Sequence, residues 1–212
     1  MKWSRSIRQL HWTGAPFEPY VGLSAVSRIA FSRLQGGWQL DSVKDLRGEM
    51  IRVRRKMSNE DARAFLKGEK IAYVGTVDAN GWPYVIPLTY IYQGDDFLWL
   101  HSGAHQGHFL TNLEHNPRVC VTVGEIGGME TSGEYLCDGS QLYGSVVLFG
   151  EITIIGNDDA IKRWFFDRLR EKYVPQQISA QISSEYPDIG KIIVYRVTIE
   201  KMTGKRSSGV GH

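Results

Sequence analysis

Residues 71–77, 82–92 and 97–101 are three runs of apolar, β-branched and aromatic residues, separated only by the clusters Asp78-Ala-Asn-Gly81 and Gln93-Gly-Asp-Asp96. This spacing restricts the fold more than any other feature. Parallel neighbours need a crossover of a dozen or more residues, whereas clusters of Asn, Asp and Gly make tight reversals. The three runs are therefore expected to form consecutive antiparallel strands, a meander.

The meander is flanked by helical signals. Ser58-Asn-Glu-Asp61 has a hydroxyl at a cap position and an acid three residues on, a capping-box-like start. Ala62, Phe65 and Leu66 give the helix its apolar face, and Gly68 stands where a helix ends. A second helix is expected from Gly107 to His115, with Phe109, Leu110 and Leu113 at helical spacing. Asn116-Pro117 stops it, since the residue before proline avoids helical geometry. A fourth strand is expected over 118–123, a glycine-rich mobile loop over 124–139, and a long strand over 142–155 bent at Gly150. A helix over 157–173 should bury Ile161, Trp164, Phe165 and Leu169, with charges including Lys162 and Lys172 outside. The last strand, 191–199, carries Ile193, Tyr195, Val197 and Ile199 on one face.

So many short strands need closure to hide their edges. The expected fold is mainly β, a six-stranded antiparallel barrel with peripheral helices. Residues 51–206 form this domain. Residues 1–50, with Trp3, Trp12 and Trp38 and no clear alternation after Arg33, read as an extension that packs its aromatics on the main domain or a partner. Residues 207–212 read as a flexible tail.

Composition closes off other classes. A net charge of +2 gives no bulk field for nucleic acid or anionic lipid, and the basic run Arg52, Arg54, Arg55 and Lys56 reads as a solvated segment. No stretch approaches the roughly 18 apolar residues of a membrane span. The first ten residues carry Lys2, Arg5 and Arg8 without an apolar run of signal length, so a cytoplasmic location is expected. The two cysteines, Cys120 and Cys137, form no CxxC pair, and Cys120 among valines reads as a small buried hydrophobe.

The segment most suggestive of chemistry is His101-Ser-Gly-Ala-His-Gln-Gly-His108, which joins a strand end to a helix start. Such a junction offers unpaired backbone N–H groups and the positive end of a helix dipole, which suit a phosphate. Ser102 adds a hydroxyl and His108 a titratable charge. It reads equally as a plain strand–turn–helix connection. The histidines at 101, 105 and 108 lack acidic or thiol partners at ligand spacing, so no metal is expected, although a haem ligand stays open.

Residues 53–205 resemble the pyridoxamine 5'-phosphate oxidase-like split barrels, in the branch of 5-nitroimidazole-resistance reductases and flavin-nucleotide-binding proteins. The resemblance runs through Ile71-Ala-Tyr-Val-Gly-Thr-Val-Asp-Ala-Asn-Gly-Trp-Pro-Tyr-Val-Ile-Pro-Leu-Thr-Tyr90, Leu98-Trp-Leu-His-Ser-Gly103 and Gly107-His-Phe-Leu-Thr-Asn-Leu-Glu-His-Asn-Pro-Arg-Val-Cys120. Tyr143-Gly-Ser-Val-Val-Leu-Phe-Gly150 and Met202-Thr-Gly-Lys205 match later blocks. It implies a homodimer with FMN at the interface, acting on a small-molecule substrate, with haem or a deazaflavin as alternative ligands. It further implies that Val85, Ile86, Pro87, Leu88 and Thr89 lie along the flavin ring, with Ser145 and Val146 near it. His101 and Ser102 would approach the ribityl-phosphate, Gly107 and His108 would meet the phosphate, and His101 is the catalytic candidate. One departure stands out: relatives carry Arg and Lys where this chain has His108 and Phe109.

Overall fold

The computed structural model describes residues 44–131, 133, 135, 139–183 and 185–207, and the backbone of 31–34 and 37–40. Trp3, Trp12, Cys137 and residues 208–212 of the expected tail lie outside the described residues. The chain divides into two units, Met1–Asp45 and Leu46–His212. In the first, β1 (Phe31–Leu34) pairs antiparallel with β2 (Gly37–Leu40), a pair too short for its sequence to show alternation.

The second unit is a closed barrel. Its strands are β3 (Ile71–Val77), β4 (Pro83–Tyr92), β5 (Phe97–Gly103), β6 (Arg118–Thr131), β7 (Gly139–Ile155) and β8 (Ile192–Arg206). The ring order is β3-β4-β5-β8-β7-β6, closed by β6 on β3, and every pair is antiparallel. The expected meander is present, and its turns work as their residues suggest. Asp78 Oδ1 accepts from the amides of Asn80 and Trp82 at 2.8 Å each, and Gly81 takes φ +86°, a conformation most side chains resist.

Alternation sends Ala72, Val74, Leu98, Leu100, Val121, Val123, Val146 and Leu148 into the interior, all at 0% exposure. Burying each Val or Leu among them stabilises by about 1.5–3 kcal/mol. Helix α1 (Asn59–Gly68), capped by Ser58 through the Asp61 amide at 3.0 Å, packs against β7 and β8. The close approach depends on missing side chains, because a Cβ on Gly144 would lie 2.6 Å from the Phe65 ring. Helix α3 (Asp159–Tyr173) covers the outer face of β4 and β8, where Phe165 joins Ile91 and Val194 in a second core. Helix α2 (His108–His115) stands between β5 and β6, and a short helix α4 (Gln176–Ser179) follows α3.

Four expectations needed correction, one of them Lys172, whose Nζ is buried 3.8 Å from the centre of the Tyr90 ring rather than outside. The segment 124–139 is no loop along most of its length: β6 and β7 continue as a paired ribbon from Gly124↔Ser145 to Thr131↔Gly139, with a bulge between Ile126 and Met129. Gln141 Nε2 donates to the carbonyls of Gly127 (2.7 Å) and Gly128 (3.1 Å), so a side chain satisfies the backbone where glycines hide the strand pattern. Cys120 faces outward, because Val119, Val121 and Val123 take the inward phase; partial burial still pushes its thiol up. Lys162 is buried at 2%, donating from Nζ to the Ile189 carbonyl at 3.4 Å, because the turn Ile189–Lys191 closes over it. The expected bend at Gly150 is a register shift between Phe149 and Gly150 in the β7–β8 pair.

Candidate functional site

The barrel parts at one seam. β4 and β5 pair only over Tyr90–Tyr92 and Leu98–Leu100. Beyond Tyr90, β4 runs on paired with β3 alone, from Thr89↔Ile71 to Pro83↔Val77. Beyond Leu100, β5 runs on paired with β8 alone, from His101↔Val194 to Gly103↔Ile192. Residues 83–89 therefore present a backbone edge that β5 does not take, a row of donors and acceptors able to receive a planar polar ring.

Helix α2 spans this opening. On one side Phe109 packs edge-on to Tyr195 of β8 at 5.4 Å between centroids, and on the other His108 lies against Tyr84 of β4 at 4.2 Å. Asn112, buried at 2%, donates to Thr76 Oγ1 at 3.0 Å and ties the helix to β3. Gly107 caps the helix with no side-chain hydrogen bond. The first amides of α2 thus lack intrahelical acceptors, and an anion there meets donors and a positive dipole end.

The residues singled out in the sequence divide by strand phase. Val85 (58% exposed) and Pro87 point outward, while Ile86 and Leu88 pack on the main core. Thr89 is half-buried beside the seam. Ser102 turns inward, its Oγ 2.7 Å from the Tyr195 hydroxyl, and burial pushes that phenol up. His101, one residue earlier, turns outward beneath α3, its ring 5.3 Å from Phe165 and 5.6 Å from Phe166. Burial lowers its pKa, and its Nδ1 is buried without a hydrogen-bond partner. Neighbours on a strand face opposite sides, so His101 and Ser102 do not share a face. Ser145 lines a cavity on the outer face of β7, and Val146 is fully buried inside the barrel. Around the seam the structure gathers the β4 edge, Ser102, Gly107 and His108; His101, Ser145 and Val146 stand apart.

One contributor to the seam went unseen in the sequence. Tyr84 lies within the Ile71–Tyr90 block without a role there; its place follows from α2 folding back over the seam. Away from the seam, Arg55, read as part of a solvated run, donates to the Tyr143 hydroxyl at 3.2 Å. Burial pushes the Tyr143 phenol up, but hydrogen bonds from Arg55 and Lys205 outweigh it and leave it below its ordinary value. Among the described residues no group of His, Cys, Asp and Glu side chains forms a metal-holding set, and no helix is long and apolar enough to cross a membrane.

On the outer face of β3, β4 and β6 a groove of about 450 Å³ is lined by Tyr73, Val77, Pro83, Val85, Cys120 and Phe149, among others. Ile71, Tyr73 and Val85 are about half exposed there, and none of α1 to α3 packs over them.

Residues 58–206 match the sequence profile of the family described as pyridoxamine 5'-phosphate oxidase. None of the curated proteins matches the chain. Among solved structures, a candidate 5-nitroimidazole antibiotic resistance protein of Bacteroides thetaiotaomicron is similar at 27% identity and TM-score 0.58, over 71% of this chain and 86% of that one. The flavocytochrome Anf3 of Azotobacter vinelandii aligns at 23% identity and TM-score 0.65, covering 78% of this chain and 75% of its own. An FAD and heme binding protein of Mycobacterium smegmatis aligns at 23% identity and TM-score 0.62, covering 73% and 74%. The last two likenesses are of fold.

Proposed function

The chain belongs to the pyridoxamine 5'-phosphate oxidase family, and from that premise we propose that it is an FMN-binding oxidoreductase working as a homodimer in the cytoplasm. The observation that carries this reading is the seam between β4 and β5, with the open N-terminal turn of α2 at its mouth. A flavin nucleotide is a planar ring with polar edges on a phosphorylated tail. The free β4 edge suits the ring, and the amides after Gly107 suit the phosphate.

When bound, the flavin supplies hydride and electron transfer, and the protein supplies orientation and water exclusion. Val85 to Thr89 hold the ring edge, Gly107 and His108 hold the phosphate, and Ser102, fixed by Tyr195, closes the inner side. His101 acts here as a positioning residue that seats α3 against β5 through Phe165 and Phe166. The uncovered apolar face around Tyr73 and Val85 supports a second copy as partner, since large contiguous apolar patches on a monomer mark interaction sites. The proposed substrate is a small aromatic or quinone-like molecule, and the likeness to a 5-nitroimidazole resistance protein supports the nitroaromatic class.

A haem carrier is the second reading, favoured by the exposed imidazole of His108 at the opening. One spectrum separates the two. The oxidoreductase reading expects purified dimer to bind FMN more tightly than riboflavin, with flavin absorbance bleached anaerobically by NADH or NADPH. A Soret band on haem addition, lost in His108→Ala, with no response to FMN or a deazaflavin, replaces it with the carrier.

A further inference from the structure

We propose that the end of β4 and the last turns of α3 form a second ligand site, which binds the doubly charged oxyanion of a phosphate group.

A cavity of about 350 Å³ lies there, at the lower end of the range for small-molecule pockets. It is lined by Lys67 from α1, Tyr92 and Gln93 at the end of β4, and Arg168, Glu171 and Lys172 from α3. What singles it out is a pair of buried donors without acceptors. Lys172 Nζ and Arg168 Nε are both shut off from solvent, and neither makes a hydrogen bond. Buried polar nitrogens in folded proteins are nearly always paired, and a charged one is the costliest to leave alone. Two of them on side chains that line one cavity call for an acceptor.

The neighbours do not supply it. The Tyr90 hydroxyl donates to the Leu66 carbonyl at 2.7 Å. The Tyr173 hydroxyl donates to the Lys70 carbonyl at 2.6 Å and accepts from the Tyr90 amide at 3.0 Å. Lys172 is left with ring faces, its Nζ 3.8 Å from the centre of Tyr90 and 5.6 Å from that of Tyr173. Glu171 is taken by a terminal nitrogen of Arg168 at 2.6 Å. Lys67, whose amine lies over Gly94, has no carboxylate partner among the described residues. Three cations thus share the cavity with one carboxylate, and that excess of positive donors matches the oxygens of a dianion.

The charges around Lys172 make the site sensitive to pH. Burial dominates and lowers its pKa to about 8, while Glu69 acts to raise it and Lys70 to lower it. Glu69 is itself held above the usual carboxylate range by burial and by Glu125 of β6. An anion in the cavity favours the charged amine, so binding takes up a proton near pH 8.

This site stands apart from the seam and does not rest on the flavin reading. β4 sets Tyr84 against His108 near one end and reaches the cavity at Tyr92, roughly 26 Å away along the strand.

The test titrates sulfate, a dianion that does not ionise between pH 7 and 9, into the full-length protein by calorimetry. Wild type should bind about tenfold more weakly at pH 9 than at pH 7, because Lys172 loses most of its charge across that interval. Lys172→Arg, charged throughout, should bind alike at both. Arg168→Gln/Lys172→Met should lose at least tenfold at pH 7, and His108→Ala should match wild type. Competition by inorganic phosphate and by phenyl phosphate then tells a free anion from an ester whose body packs on Tyr92. No sulfate binding to the wild type, wild-type affinity in the double variant, an unchanged pH dependence in Lys172→Arg, or displacement by neither phosphate overturns the proposal. Loss of binding in His108→Ala alone puts the anion at α2 and overturns it as well. None of these results bears on FMN at the seam, which the comparison with riboflavin decides.

Discussion

Tyr84 and His108 face each other across the seam with ring centroids 4.2 Å apart and planes inclined by 34°. They join β4 to the first residue of α2, where the cofactor's phosphate is proposed to sit. The family resemblance implies a basic residue where this chain has His108. Replacing His108 with Lys should therefore tighten FMN by about tenfold, since a charge-assisted hydrogen bond exceeds a neutral one by about 1.4 kcal/mol. Riboflavin, lacking the phosphate, should not gain. Fluorescence titration of both flavins decides it, and an equal gain for riboflavin refutes the placement.

His101 makes stability depend on pH in a definite direction. Its pKa is lowered by burial, so the folded protein binds fewer protons than the unfolded chain, whose histidine titrates near 6.5. Its contribution is therefore present above about pH 6.5 and declines as pH falls below it, by at most about 1.4 kcal/mol per unit. Urea midpoints between pH 8 and 5 should fall less steeply in His101→Phe, whose ring would rest among Phe165 and Phe166. Identical slopes would mean that the imidazole is not sealed beneath α3.

Gly150 sits at the register shift between β7 and β8, and a Cβ there would lie 2.0 Å from the Thr198 carbonyl oxygen. Backbone cannot step aside as a side-chain tip does. Gly150→Ala should cost about 1–3 kcal/mol or more. Gly156→Ala, where a Cβ meets nothing within 4 Å, should stay within about 0.5 kcal/mol. Paired chemical denaturation curves give the comparison.

The outer face of β3 and β4 provides the test of assembly. Val85, 58% exposed, stands opposite Gly75 on a face left open by every helix of the barrel unit. Val85→Glu places a charge in the centre of the proposed subunit contact and should shift the protein from dimer to monomer in sedimentation, with FMN affinity falling alongside. A variant that stays dimeric moves the contact elsewhere.

Much of the barrel could be read in advance because its information is local. Ser58 and Asp61 mark a helix start, Asp78 and Gly81 fix a reversal, and Val119, Val121 and Val123 keep one phase along a strand. The ribbon beyond Gly124 was not legible, since Gly127 and Gly128 erase alternation and the bulge depends on Gln141 reaching back from the other strand. Cys120 and Lys162 misled for a similar reason: what covers a residue is set by elements far away in sequence.

The candidate site shows the same division. By itself the sequence determined a meander, a helix opened by glycine after the third barrel strand, and so the kind of group that could meet a phosphate there. It could not decide that β4 and β5 part after Tyr90 and Leu100, that Ser102 turns to Tyr195 while His101 goes under α3, or that Arg55 and Lys205 meet at Tyr143. Strand propensity, caps and turns act between residues a few positions apart, whereas strand phase, coverage and convergence arise only when the ring of strands closes and long-range neighbours compete for each face.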